Sequence, residues 1–230
     1  MAAKSYTQWS TFKKCPAQYK HRYVEKLPTP PSSAAAQRGT NLHGVVEQLL
    51  QGKIDAIPFL DDGAGNNIYA PLEPYEDFFK MLKDKGAVAE LGFLLNHDWE
   101  PCEEGEPVHV RGYIDIIVPP SDGHIYIYEL KTGKEYDDHV EQRNFYGAAA
   151  LGLAWDQEVE KVTVYGTYMD LGEMRENTYA ASMQSTYKYF WNQKLEQMDN
   201  EQALVPNPGF YCRWCPFSKD KGGPCKFSGS

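Results

Sequence analysis

Residues 113–133 read YIDIIVPPSDGHIYIYELKTG, and no other stretch constrains the fold as much. Two apolar runs flank a Pro-Pro-Ser-Asp-Gly turn, the pattern of two strands joined as a hairpin. Charged residues sit where a plain sheet does not want them. Asp115 interrupts the first strand, where an unpaired carboxylate is costly. Glu129 and Lys131 close the second. Residues two apart in a strand point to the same side, so Glu129 and Lys131 project together, and Asp115 on the neighbouring strand can face the same place. Two carboxylates at the end of a sheet make an oxygen-rich site suited to Mg²⁺ or Mn²⁺. A lysine beside them can position or activate a water, or neutralise charge on a phosphate. The backbone carbonyl of Leu130 is a further candidate ligand. Taken alone, the same residues also fit a surface hairpin closed by a salt bridge.

Around the hairpin, residues 5–27 read as a helix broken or restarted at Pro16, with an aromatic and cationic face that includes Tyr6, Trp9, Phe12, Lys13, Lys14, Tyr19 and Arg22. A Pro/Ser/Ala-rich loop starts at Pro28. Residues 39–51 read as a helix through Leu42, Val45, Val46, Leu49 and Leu50, with His43 one residue from the apolar stripe. A Gly- and Asp-rich loop covers 53–70, and a helix 72–86. Residues 87–102 read as a strand leading to a turn, ahead of the hairpin. After it come a helix at 137–155 with small residues Gly147 to Ala150, a strand at 161–172, a short edge strand at 176–182, and an amphipathic helix at 183–199. That order predicts an α/β fold with a small central mixed sheet flanked by helices. The 230 residues suffice for one domain with a sizeable core: an N-terminal segment 1–38, a core 39–199 and a Cys-rich tail 200–230.

The net charge of −9 argues against holding nucleic acid by bulk positive charge, though not against an enzyme that uses metal ions and a local basic patch. No apolar run is long enough to span a membrane, and the N-terminus lacks the apolar core of a secretory signal, so a cytoplasmic protein is expected.

The motifs GYID, YELKTG and QRNFY together resemble the RecB-like branch of the PD-(D/E)XK nuclease superfamily. Gly112 and Asp115 match its first motif, Glu129, Lys131, Thr132 and Gly133 its second, and Gln142 and Tyr146, at i,i+4 spacing, its third. His43 fits an upstream helical histidine and Glu90 an acidic residue ahead of the core hairpin. The resemblance implies a restriction-endonuclease-like core. It implies that His43, Asp115, Glu129 and the Leu130 carbonyl hold Mg²⁺ or Mn²⁺, that Lys131 serves the attacking water, and that Gln142 and Tyr146 sit against substrate or the lysine.

Cys212-x₂-Cys215 with Cys225 close behind has metal-type spacing, and a closed tetrahedral site needs a fourth ligand, for which Cys15 is the candidate. Cys102 has no partner in the pattern. CRISPR-associated and AddB-type members of the branch look similar: one cysteine before the core and three after it bind a 4Fe-4S cluster that joins the two ends. The gap between Cys215 and Cys225 is longer than that pattern, and zinc is the rival metal. The expected function is a metal-dependent DNA nuclease, an exonuclease on single-stranded ends, with protein partners in replication, repair or spacer processing. The N-terminal helix is expected to offer stacking and phosphate contacts to the strand. The rivals are a non-catalytic binding subunit of a nuclease assembly and a zinc-binding interaction module.

Overall fold

A computed structural model describes residues 3–31 and 33–228. In chain order, helices α1 (Tyr6–Lys14) and α2 (Pro16–Tyr19) lead into a π-helical turn, Lys20–Val24. Helix α3 (Ala34–Leu50) follows, then a 3-10 turn (Ala70–Tyr75) and α4 (Glu76–Asp84). Strands β1 (Val88–Leu95), β2 (Val110–Ser121) and β3 (His124–Lys131) precede α5 (Asp137–Gly152). Strands β4 (Lys161–Tyr168) and β5 (Glu173–Ala180) and helix α6 (Gln184–Asn200) complete the regular elements. The chain divides into two compact units, residues 33–188 and a second made of the N-terminal segment with residues 189–228.

The first unit is built on a five-stranded mixed sheet, β1-β2-β3-β4-β5. All neighbours are antiparallel except β3 and β4, which are parallel and connected through α5, as a parallel pair requires a crossover. Leu42, Val45, Val46, Leu49 and Leu50 of α3 and Phe79 and Leu82 of α4 bury against Ile116, Val118 and Leu130 of the sheet. Each such side chain contributes about 1.5–3 kcal/mol through burial. Glu129, the neighbour of Leu130, meets α5 instead, as strand alternation demands. Close packing of α5 relies on small residues. Ala148, Ala149 and Ala150 are fully buried, and the Tyr179 ring fills the space that a side chain at Gly147 would need.

Three details differ from the sequence-based expectation. Helix α3 starts at Ala34 rather than near residue 39, because Ser33 caps it by accepting from the Ala36 amide at 3.2 Å and three alanines propagate it. The last strand is eight residues long and pairs with β4 along its whole length. The third concerns the N-terminal helix. Tyr6, Trp9 and Phe12 of α1 are buried, with the Trp9 and Tyr6 rings edge-on to Trp191 of α6, so these rings build the core of the second unit and are not available to stack on a strand. Lys4 pairs there with Asp199 at 2.7 Å. No helix among the described residues is long and apolar enough to cross a membrane.

Candidate functional site

The charged residues of the hairpin converge at one end of the sheet. Asp115 on β2 accepts a hydrogen bond from the Leu130 amide at 2.8 Å, which ties its carboxylate to β3. Glu129 is 2% exposed. Its Oε2 lies 3.6 Å from the Lys131 ammonium and accepts a 3.3 Å hydrogen bond from Gln142 Nε2, while its Oε1 is buried with no partner. Burial, reinforced by the Asp115 charge, pushes the Glu129 carboxyl up to about 8. Burial works against ionisation of Asp115 too, but His43, Lys131 and the Leu130 amide outweigh it and hold this carboxyl below the usual range. Crowded acids that separate in this way are a recurrent feature of functional sites.

His43 reaches the same place from α3. Its Nε2 is 3.2 Å from the Leu130 carbonyl and its Nδ1 3.5 Å from Asp115. A carbonyl only accepts, so Nε2 carries a hydrogen and Nδ1 is the atom aimed at the carboxylate. Two lone pairs facing each other are unfavourable unless a proton or another cation lies between them. Burial lowers the His43 pKa, yet Asp115 more than compensates and the net shift is upward. Glu90 joins from β1, where it stands at φ 50, a region that non-glycine residues rarely occupy and that tends to mark functional sites. Its carboxyl is raised by burial and by Asp115. His43, Glu90 and Asp115 each offer one donor atom, and the three lie within 4.8 Å of one another.

Helix α5 forms the other wall. Gln142 and Tyr146 share one face, as their spacing predicts, but Gln142 bonds to Glu129 rather than to Lys131. Burial and the nearby Glu129 and Asp115 charges raise the Tyr146 pKa well above its ordinary value, so the hydroxyl stays protonated. Tyr146 also packs edge-on to Phe93, beside Gly112, where a Cβ would come 2.7 Å from the Phe93 ring. A buried cation anchors this helix. Arg143 pairs with Glu135 at 3.0 Å and donates to Asn177 at 2.7 Å and to the Tyr168 hydroxyl at 3.3 Å. His139 is 3.0 Å from the same hydroxyl, and its pKa is lowered by burial and then by Lys131. On the α3 side, Asp170 binds Arg38 through both oxygens, at 2.6 and 3.0 Å, and accepts from the Gly133 amide at 2.9 Å. Gly133 ends the Lys-Thr-Gly turn at φ 85, which favours glycine.

All the candidate residues of the first unit are therefore brought to one place: His43, Asp115, Glu129, Leu130, Lys131, Gln142 and Tyr146. The compact donor set is His43, Glu90 and Asp115. Glu90, absent from the expected ligands, is in it, and Glu129 is beside it. Sequence reasoning did not single out Arg143, His139 or Arg38, whose importance depends on partners distant in the chain.

In the second unit, Cys15, Cys212, Cys215 and Cys225 line one pocket, together with His21, Tyr211 and Phe217. The Asn207 amide donates to the Cys15 sulfur and the Gly209 amide to the Cys212 sulfur, both at 3.4 Å. Burial raises the Cys215 thiol, and the other three cysteines are near enough to add to the shift. No three cysteines among the described residues lie mutually within the 4.8 Å that the His43 group satisfies. Cys102 is a free, half-buried thiol in the first unit.

The family described as the PD-(D/E)XK nuclease superfamily matches residues 3–219. A solved structure described as "Crystal structure of SSO0001" is similar over 94% of this chain and 83% of its own, with a TM-score of 0.48 and 17% identity. A search of curated proteins finds no match.

Proposed function

The chain belongs to the PD-(D/E)XK nuclease superfamily, and from that premise we propose that it is a divalent-metal-dependent nuclease cutting DNA as an exonuclease on single-stranded ends. The observation that carries the nuclease reading is the donor set of His43, Glu90 and Asp115 next to the partnerless Glu129 Oε1, with Lys131 3.6 Å from the other oxygen of Glu129. A buried carboxylate oxygen without a hydrogen bond is costly, and a hard cation accepts such oxygens readily. These residues, with the Leu130 carbonyl, fit Mg²⁺ or Mn²⁺, which would polarise a phosphoryl oxygen and acidify a bound water.

The remaining chemistry falls to side chains. Hydrolysis joins a water oxygen to phosphorus and breaks the bond to the leaving sugar oxygen. Lys131, its side chain 17% exposed, can hold that water or shield charge that develops on a non-bridging oxygen. Gln142 holds Glu129 through its hydrogen bond, and Tyr146 stands on the same face of α5, close enough to feel the Glu129 charge. The preference for single-stranded ends, and membership of the RecB-like branch, rest on the motif order GYID, YELKTG, QRNFY. Cytoplasmic location, protein partners, and the action of both units as one nuclease domain belong to the same proposal.

The second unit is read as the holder of a 4Fe-4S cluster. Four thiols around one cavity, two of them accepting amide hydrogen bonds, support it. A single zinc ion is the rival occupant of the same four thiols, since Cys₄ sets serve both.

The test is incubation of end-labelled single- and double-stranded DNA with Mg²⁺ or Mn²⁺, beside Asp115→Ala and Glu129→Ala. Wild type should shorten the single strand stepwise, and both variants should be inert while still folded, as judged by circular dichroism. Cleavage at the wild-type rate by both variants would overturn the assignment of the site.

A further inference from the structure

Tyr113 is the most conspicuous residue near the site that the mechanism leaves unused. It is 66% exposed, in a strand whose neighbour Ile114 is fully buried. Its partner across the β1–β2 ladder is Gly92. The ring leans over that glycine, so that a Cβ there would come 3.1 Å from the ring carbon Cε1. Gly92 therefore gives the ring a bare backbone to rest on, and a side chain there would require the ring to shift by a few tenths of an ångström. The other side of the ring faces solvent.

Its position along the strands matters more. Glu90 and Asp115 belong to the candidate metal site, Gly92 and Tyr113 come two residues further along the ladder, and Leu94 and Arg111 two further again. At about 3.4 Å per residue, Tyr113 lies roughly 7 Å and Arg111 roughly 14 Å from Asp115 along β2. Steps of that size match successive nucleotides of an extended strand. Arg111 is exposed and has no ion-pair partner among the described residues. An aromatic face followed by a free guanidinium is the pairing that single-strand sites use, one for a base and one for the backbone.

We propose that Tyr113 stacks on a base of the substrate strand next to the scissile phosphate, and that Arg111 holds a phosphate one step beyond, so that β2 forms the track along which single-stranded DNA enters. This rests on the nuclease reading above and names how that site takes its substrate. A duplex, whose bases are already stacked and paired, cannot offer a base to Tyr113 without opening.

Binding is measured first, with Ca²⁺ in place of Mg²⁺, for two strands of equal length: oligothymidylate and the same backbone made entirely of abasic sugars. Tyr113→Ala should bind oligothymidylate about tenfold more weakly, the scale of one base–aromatic stack. Its loss should be confined to the base-bearing strand, and Tyr113→Trp should restore it. Arg111→Ala should weaken both strands and flatten the salt dependence by about one unit of slope. Mg²⁺-dependent cleavage of oligothymidylate is then measured for each. If wild type binds but does not cut, the nuclease reading fails while the binding comparison still decides the role of Tyr113. If wild type cuts and Tyr113→Ala binds oligothymidylate as wild type does, or loses equally on the abasic strand, the stacking assignment is overturned. Absence of any strand binding by wild type would overturn it as well.

Discussion

Replacing Glu129 by Gln should abolish cleavage and yet stabilise the metal-free protein. The exchange keeps the shape, the burial and an oxygen for Gln142, and removes the charge. The Glu129 carboxyl lies near 8 when folded against an ordinary value of 4.5. Such a group retains its proton in the folded state after the unfolded chain has released it, so stability falls as pH rises from about 4.5 to 8. At 1.36 kcal/mol per unit, the loss is below about 1 kcal/mol at pH 5 and about 4 kcal/mol at pH 8. His43, whose pKa is raised, contributes stability that is full at low pH and also lost as pH rises through its folded value. Asp115 runs the other way, because its depressed carboxyl gives stability that disappears only as pH falls through the folded value.

The assay is urea unfolding in EDTA at pH 5 and pH 8, for wild type and Glu129→Gln. The variant should gain about 4 kcal/mol over wild type at pH 8 and little at pH 5. Millimolar Mn²⁺ should close the gap at pH 8 by stabilising wild type, since a ligand of the folded state adds RT ln(1 + [L]/Kd). If the variant is no more stable than wild type at pH 8 in EDTA, or if its advantage is the same at both pH values, the buried-charge argument is wrong.

Two further outcomes follow. Lys131→Ala should lose about 10²-fold or more in cleavage rate and still bind Mn²⁺ by calorimetry, because an ammonium is not a ligand; loss of Mn²⁺ binding would make the lysine a structural partner of Glu129. Replacement of Cys15, Cys212, Cys215 or Cys225 by Ala should remove iron and visible absorbance from anaerobically purified protein and lower its melting temperature, since structural Cys sites contribute on the order of 10 kcal/mol to folding. Cys102→Ala should change neither, and full colour in Cys15→Ala would sink the four-cysteine assignment.

The parts of the fold that were legible in the sequence are those with local causes. The period-2 runs and the turn residues define β2 and β3, and the i,i+4 spacing of Gln142 and Tyr146 places both on one face of α5. Function residues on those elements could be read because a carboxylate within an apolar strand is anomalous where it stands. Glu90 could be named only through the family resemblance and not as a ligand, because its φ of 50 leaves no trace in composition. Arg143 looks like any helical arginine until Glu135, Asn177 and Tyr168 arrive from three other places in the chain. The aromatic face of α1 was misread because periodicity identifies an apolar stripe without saying what covers it; here Trp191 does.

The pattern of ionisation separates a metal site from the simpler alternative of a hairpin closed by a salt bridge. In a salt bridge the lysine stabilises its acid, and the carboxyl moves below its ordinary value. Only Asp115 does so here, and its first helper is His43. Glu129 sits 3.6 Å from Lys131 and is raised nonetheless, and Glu90 is raised also. Three acids share the end of one sheet with a lysine and a histidine, two of the three resist ionisation, and one carboxylate oxygen has no hydrogen bond. Lys131 and His43 do not offset the cost for Glu129 and Glu90, which both remain raised. A divalent cation would supply what is missing: held by His43, Glu90 and Asp115 beside Glu129, it would offset the repulsion between the acids. On the proposed reading, the groups that are costly to ionise in the metal-free site are the ones whose charged form the ion would favour.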